Sequence, residues 1–163
     1  MKKRWLCLFV ENEIGVLARI SGLFSGKSYN LDSLTVGTTE DATISRMTIS
    51  LYSDEQIFEQ IKKQLNRTVE VIKVIDYTEL SIHSREILFL KITKCSEADK
   101  TDLFRLAQVY GINILDFSKT TVLLECVKAE NENDRIIKLL CERFDNPVEI
   151  VRGGSVAIEE EKK

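Results

Sequence analysis

Leu23-Phe24-Ser25-Gly26-Lys27-Ser28-Tyr29-Asn30-Leu31-Asp32-Ser33-Leu34 aligns without gaps on Leu106-Ala107-Gln108-Val109-Tyr110-Gly111-Ile112-Asn113-Ile114-Leu115-Asp116-Phe117. Each copy closes a helical pattern and enters an apolar, strand-like run through an asparagine. Val69-Glu70-Val71-Ile72 likewise returns as Val148-Glu149-Ile150-Val151. Ahead of these, Ile57-Phe58, Ile61 and Leu65 answer to Ile136-Ile137, Leu140 and Phe144. Two matched pairs in the same order mark an internal repeat, which governs every later reading.

Working outward, periodicity supplies the elements of each copy. Residues 4–10 form a short apolar run, 14–26 a helical pattern and 30–37 a strand. Residues 44–52 alternate, with Ile44, Met47, Ile49 and Leu51 among Ser45, Thr48 and Ser50. Residues 54–65 form an amphipathic helix capped by Ser53 or Asp54, and 69–75 are β-rich. The second copy runs strand 85–93, helix 97–110, strands 112–117 and 120–127 around Ser118-Lys119, helix 134–144, and strand 148–158 opened by Pro147. Leu103, Leu106, Ala107 and Tyr110 share one face of its first helix, and Gly111 suits the residue just past that helix. The expectation is an α+β chain of two tandem ferredoxin-like βαββαβ units. The polar stretch 78–84 links a first domain, 1–77, to a second, 85–158, with a charged tail at 159–163.

Trp5-Leu6-Cys7-Leu8-Phe9-Val10 does not alternate, so both faces of the first strand are expected to be buried. Helices cover one face. The other calls for a sheet from the neighbouring half or another chain, a partner being the favoured cover over a lightly covered back.

Of the 163 residues, 44% are hydrophobic and 30% charged, with one proline and a formal net charge of −3. That supports a packed core rather than disorder. It also lacks the basic footprint of a nucleic-acid binder. An RNA-binding sheet would need exposed aromatics and basic charge, and Trp5 and Phe9 stand without an RNP motif. No apolar run approaches the roughly 20 residues of a membrane-spanning helix. Met1-Lys2-Lys3-Arg4 precedes too short an apolar stretch for a signal peptide. Cys7, Cys95, Cys126 and Cys141 form no C-x-x-C pair, so they read as reduced, mostly buried thiols of a cytoplasmic protein.

Catalytic constellations are absent from the sequence pattern. His83, the only histidine, lies in the linker with no nucleophile elbow to serve. Asp54-Glu55 and the acids of 130–134 sit at helix starts, where the dipole favours negative charge. No phosphate loop or dinucleotide fingerprint occurs. The stretch that reads as a site is Glu11-Asn12-Glu13-Ile14-Gly15-Val16-Leu17, between the first strand and first helix. Gly15 is costly early in a helix unless a backbone must come close, and it opens a run of free N–H groups that suits a small carboxylate. Asn12 is placed to cap the helix or to bind an amino or carboxyl group, while an ordinary cap with a tight turn explains the same spacing. The counterpart loop, Thr93-Lys94-Cys95-Ser96-Glu97, has neither asparagine nor glycine, so ligand binding is expected in the first unit only.

At these residues the chain resembles a known family. Asn12-Glu13-Ile14-Gly15-Val16-Leu17-Ala18-Arg19-Ile20-Ser21-Gly22-Leu23-Phe24 is similar to the ACT-domain signature of the small, regulatory subunit of acetohydroxyacid synthase (acetolactate synthase). Tyr29-Asn30-Leu31-Asp32-Ser33-Leu34-Thr35-Val36-Gly37 resembles its second-strand motif. Ser45-Arg46-Met47-Thr48-Ile49 and Glu59-Gln60-Ile61-Lys62-Lys63-Gln64-Leu65 resemble its third strand and second helix. In the second half the likeness is looser: Arg85-Glu86-Ile87, Gly111, Asp116 and Val148-Glu149-Ile150 fit, and Arg152-Gly153-Gly154-Ser155-Val156-Ala157-Ile158 is a blurred closing motif.

The resemblance implies that the first unit is an ACT domain and the chain a non-catalytic subunit. Its partner would be the large, catalytic subunit, which holds the thiamine diphosphate, magnesium and flavin; this chain would hold no cofactor. It would activate that subunit and confer feedback inhibition by a branched-chain amino acid, valine foremost. It further implies a homodimer joined through the second strand, with the effector between one chain's loop and the partner's strand. The implied effector-binding residues are Asn12, Ile14, Gly15, Val16, Leu17, Asn30, Leu31 and Val36. Gly15 and its neighbouring N–H groups would hold the carboxylate, Asn30 would bond from across the dimer, and Val36 would line the aliphatic pocket. The alternative is a free-standing tandem ACT-like amino-acid sensor regulating another enzyme or a transcription pathway.

Overall fold

The structure, a computed structural model, describes residues 1–26 and 29–161. Lys27-Ser28 of the repeat and Lys162-Lys163 of the expected tail lie outside the described residues. The first unit contains β1 (Lys2–Glu11), α1 (Val16–Ser25), β2 (Leu31–Thr38), β3 (Ile44–Ser53), α2 (Glu55–Leu65) and β4 (Val71–Asp76). The second contains β5 (Ile82–Ile92), α3 (Glu97–Tyr110), β6 (Asn113–Phe117), β7 (Val122–Lys128), α4 (Glu130–Arg143) and β8 (Val148–Arg152), and a last strand, β9, spans Val156–Glu159.

The sheets run β2-β3-β1-β4 and β6-β7-β5-β8, with antiparallel neighbours throughout. Equivalent strands occupy equivalent places, so the repeat in sequence is a repeat in topology. Each unit has its own core. Leu6, Leu8 and Val10 of β1 meet Ile20 and Phe24 of α1 and Phe58 and Ile61 of α2. Leu88, Leu90 and Ile92 of β5 meet Leu103 and Ala107 of α3 and Ile136 and Leu140 of α4. In both, a central strand alternates toward two helices set at the 3–4 residue spacing of one helix face.

Three differences from the sequence expectation have physical causes. The strand expected over 148–158 breaks at Gly153-Gly154, where the Gly153 N–H is drawn to Ile87 O at 2.9 Å. Beyond the break, β9 groups with residues 1–83 rather than with 84–155. It pairs with β5, and the Glu160 N–H donates to Ser81 O at 2.9 Å, so Glu159 and Glu160 are not a loose tail. Second, the back of β1 takes cover from within the chain, from β9 at the end of the second copy and from the stretch after β4. Cys7 is fully buried against Tyr77 and Ala157, with Trp5, Phe9, Ile75 and Ile82 packed around them. Third, Tyr110 leaves the α3 core stripe and is 43% exposed, because the helix ends there and Gly111 turns left-handed at φ +61°.

The sequence-marked caps form. Asp54 accepts from the Ile57 N–H at 2.8 Å at the start of α2. Cys7, Cys95 and Cys126 are buried and Cys141 is exposed, all four as free thiols. Among the described residues no helix is long and apolar enough to cross a membrane.

Candidate effector site

The loop 12–15 joins the central strand β1 to α1, and its backbone decides its chemistry. Gly15 is the N-cap of α1 with φ +91° and ψ −13°, and no side chain caps the helix among the described residues. A Cβ built on Gly15 would meet no heavy atom within 4 Å. Glycine is therefore required by the left-handed backbone, not by a close approach of neighbouring chain. Only a long bond, Val16 N–H to Glu13 O at 3.4 Å, closes the first turn, and the Arg19 N–H reaches Gly15 O at 2.9 Å. Among the described residues the N–H groups of Leu17 and Ala18 meet no backbone acceptor, as expected at an uncapped helix start.

The other helices supply their own carboxylates at this position. Asp54 does so for α2. For α3, Ser96 and Asp99 form a reciprocal capping box, with Asp99 accepting from the Ser96 N–H at 2.8 Å. Glu132 accepts from the Ala129 N–H at 3.3 Å at the start of α4. Among the described residues, α1 is the one helix without a first-turn acid. The dipole and free donors there favour an anion from outside.

Asn12 neither caps α1 nor stands free. Its Nδ2 donates to Ala42 O at 2.9 Å, its Oδ1 accepts from Ser45 Oγ at 3.0 Å, and its N–H donates to Thr43 O at 2.8 Å. It ties the loop to the β2–β3 turn. That turn is fixed in its own right by Asp41, whose side chain accepts from Thr43 Oγ1 and N–H; these bonds hold its carboxyl below the usual value. Arg19, one turn along α1, is engaged by Glu70. The positive character of the loop is therefore that of the backbone.

Ile14 is fully exposed and Leu17 is 43% exposed, an apolar pair flanking the free N–H groups. Val16, in contrast, is buried in the core, as is much of Leu31. Val36 lies exposed on β2 opposite Met47, near the strand end that shares the loop's side of the sheet. Asn30 precedes β2 at the other end. It lines an open cleft of about 480 Å³ with Tyr29, Asp32, Tyr52, Ser53 and Ile57. The register fixes this separation: Leu31 pairs with Leu51, which faces Arg4, whereas Thr38 pairs with Ser45, which faces Val10. At about 3.3 Å per residue, Asn30 stands roughly 20 Å or more from the loop along the strand. One chain brings residues 12–17 and Val36 to the same end of the sheet and leaves Asn30 and Leu31 at the opposite end.

Two polar clusters escape sequence reasoning because their members are far apart in the chain. Arg46 stacks on Phe9, and its guanidinium donates to Cys7 Sγ at 3.2 Å, Tyr77 Oη at 2.8 Å and Ala157 O at 2.8 Å. It thereby pins β9 behind β1. In the second unit, the buried Glu86 accepts from Asn133 Nδ2 at 3.0 Å and Arg152 Nε at 2.8 Å, and Arg152 also bonds Asp134 at 2.7 Å. No local motif announces either.

Comparison with known proteins gives the family. The model of the AHAS small subunit-like ACT domain matches residues 6–73, and that of the small subunit of acetolactate synthase matches residues 85–161. The chain belongs to the acetolactate synthase small-subunit family. It is 35% identical to the acetolactate synthase small subunit of Haemophilus influenzae over 99% of this chain and 98% of that one. It is 33% identical to the isozyme 3 small subunit of Escherichia coli over 96% and 94%. The crystal structure of the Thermotoga maritima small subunit superposes with a TM-score of 0.87 at 29% identity, covering both chains completely. The first unit is thus an ACT domain, and the α+β, twice-repeated fold is that of the family.

Proposed function

We propose that this chain is the non-catalytic regulatory subunit of acetolactate synthase. It raises the activity of a thiamine-diphosphate catalytic subunit in the cytoplasm and makes that enzyme sensitive to a branched-chain amino acid, with valine the foremost candidate. The observation that carries the reading is the α1 N-terminus. Among the described residues it is the one helix start without a first-turn carboxylate of its own, and exposed Ile14 and Leu17 flank it. An α-carboxylate on the free N–H groups and an aliphatic side chain against the apolar pair match an aliphatic amino acid.

The register supports a site shared by two chains. β2 is an edge strand of its sheet, with an open row of backbone groups. A two-fold axis that joins two β2 edges must pair them antiparallel. That arrangement carries the partner copy's β2 start, with its Asn30, toward this chain's β2 end and loop. The roughly 20 Å that separates Asn30 from Gly15 in one chain is then closed across the dimer. Val36, exposed on the same strand, borders the space, with Val16 supporting it from within this chain's core and Leu31 contributed from the partner copy's β2 start.

The test combines purified catalytic subunit, its cofactors and graded amounts of this chain, with acetolactate formation as the readout. The expected result is a rise in rate with added chain and suppression of that rise by valine. Valine binding without any effect on the catalytic subunit would indicate a free-standing amino-acid sensor. Turnover by this chain alone, abolished by a substitution within it, would overturn the non-catalytic assignment.

A further inference from the structure

We infer that the groove between the end of α3 and the outer flank of α4 docks the catalytic subunit by taking an apolar segment of it that carries carboxylates; this rests on the regulatory reading above. The groove is an open cleft of about 500 Å³ within the second unit. Val109 and Tyr110 form one wall, and Lys128, Arg135, Ile136 and Leu139 the other. Val109 is 76% exposed, far more than its apolar character warrants in a helix whose core face is Leu103 and Ala107. Glu132, Arg135, Ile136 and Leu139 follow the 3, 4, 7 spacing of one helix stripe, so α4 offers a straight edge beside its buried side.

The charges name the partner's chemistry. Three other cations on these helices are matched, Arg143 with Asp102 at 2.7 Å, Lys100 with Glu97 at 2.6 Å and Lys138 with Glu142 at 3.7 Å, while exposed Arg105 of α3, outside the groove, has no such partner among the described residues. Lys128 and Arg135 have no carboxylate partner among the described residues, and Glu132, which lines the same cleft, is engaged by the Ala129 N–H at 3.3 Å. In a chain of net charge −3, two unmatched cations over an apolar floor form a complement to an acidic, apolar segment. Tyr and Arg at the edge of an apolar groove are also the residue types that carry binding energy at interfaces. A second copy of this chain fits poorly. Two-fold docking through this patch would set Lys128 and Arg135 against their own equivalents, bringing like charges together.

The test uses the full chain and purified catalytic subunit. Binding is measured by titration at low and moderate salt, and the activation of acetolactate synthesis is followed in parallel. Arg135→Glu and Val109→Asp should each weaken the association at least tenfold. Arg135→Glu should also flatten its salt dependence, with melting temperature and valine binding unchanged. The milder pair Arg135→Ala and Val109→Ser, expected to weaken binding severalfold, gives the answer if a reversal variant does not fold. Folded variants that bind and activate like the parent chain would overturn the groove while leaving the regulatory function intact. Variants that change only self-association would overturn it in favour of a second copy. A parent chain that neither binds nor activates the catalytic subunit would overturn both.

Discussion

Gly15 separates the backbone role of the loop from its electrostatic role, and paired substitutions can measure each. At φ +91° a residue with a Cβ costs roughly 1–2 kcal/mol, with Asn and Asp at the lower end. No clash adds to that, because a Cβ there meets nothing within 4 Å. For a domain of about 60–100 residues each kcal/mol lowers the melting temperature by about 4–8 °C. Gly15→Asn and Gly15→Asp should therefore melt within a few degrees of each other and about 4–12 °C below the parent. Their effector affinities should part. Asn leaves the helix N-terminus neutral. Asp places a carboxylate where the ligand's own must sit, and charge-assisted hydrogen bonds to such a group are worth about 1.5–3 kcal/mol each. The loss of two is upwards of about a hundredfold, which takes a ligand of about micromolar affinity to about 0.1 mM or weaker. Calorimetric titration with valine, alongside thermal melts, gives both numbers. Equal valine affinity in the two variants would refute the anion-site argument, and affinity equal to the parent's in both would place the effector elsewhere.

Asn12 and Asn30 should show opposite profiles. Asn12→Ala removes two side-chain hydrogen bonds to the β2–β3 segment and should cost about 1–3 kcal/mol of stability in melts. Asn30→Ala, at an exposed position, should change stability by no more than about 0.5 kcal/mol yet weaken valine binding by about 1–3 kcal/mol; a stability loss without an affinity loss would count against the shared site. Ellman's reagent at pH 8 should titrate one thiol, Cys141, in the folded chain and four after denaturation. Burial raises the Cys95 thiol and pushes Cys126 up to about 11, so little reactive thiolate forms there; rapid reaction of two or more thiols would contradict that packing. The bonds from Ser96 hold Asp99 below its ordinary 3.8, so its capping contribution is full above that value and lost as pH falls through the lower, folded one. Melts of Asp99→Asn should accordingly be flatter between about pH 4 and acid unfolding, and identical pH profiles would refute the assignment.

The fold was legible because its information is local. Alternation in 44–52, the Asp54 cap and the helical spacing of Phe58, Ile61 and Leu65 all act within a few residues. Repetition of that pattern then specified two units with the same strand order. What stayed hidden depends on distant partners. Nothing between residues 148 and 158 states that β9 joins residues 1–83, because that choice rests on Arg46 reaching Ala157 O and on Cys7 needing cover. The loop was legible as a place but not as a mechanism. Gly15 marked it, yet sequence alone could not distinguish close approach from a left-handed backbone, and Asn12 suited a cap as well as it suits its actual partners, Ala42 and Ser45.

The two units pose the same structural problem and solve it differently. Four residues separate β1 from α1, and four separate β5 from α3, so Gly15 and Ser96 stand at the same N-cap position. Ser96 has an extended backbone, φ −75° and ψ 172°, from which its hydroxyl reaches the Asp99 N–H while the Asp99 carboxylate turns back to the Ser96 N–H. The second unit thus carries a permanent anion at its first helix. Gly15 has the opposite sign of φ, a geometry from which a cap side chain would project elsewhere. Replacing Gly15 by serine would therefore not restore a cap unless the loop refolded. The vacancy at α1 is written into the backbone, and Asn12 holds that backbone by three bonds to the β2–β3 segment. An uncapped helix start in the first unit and a self-capped one in the second follow from one torsion angle and the residue able to adopt it.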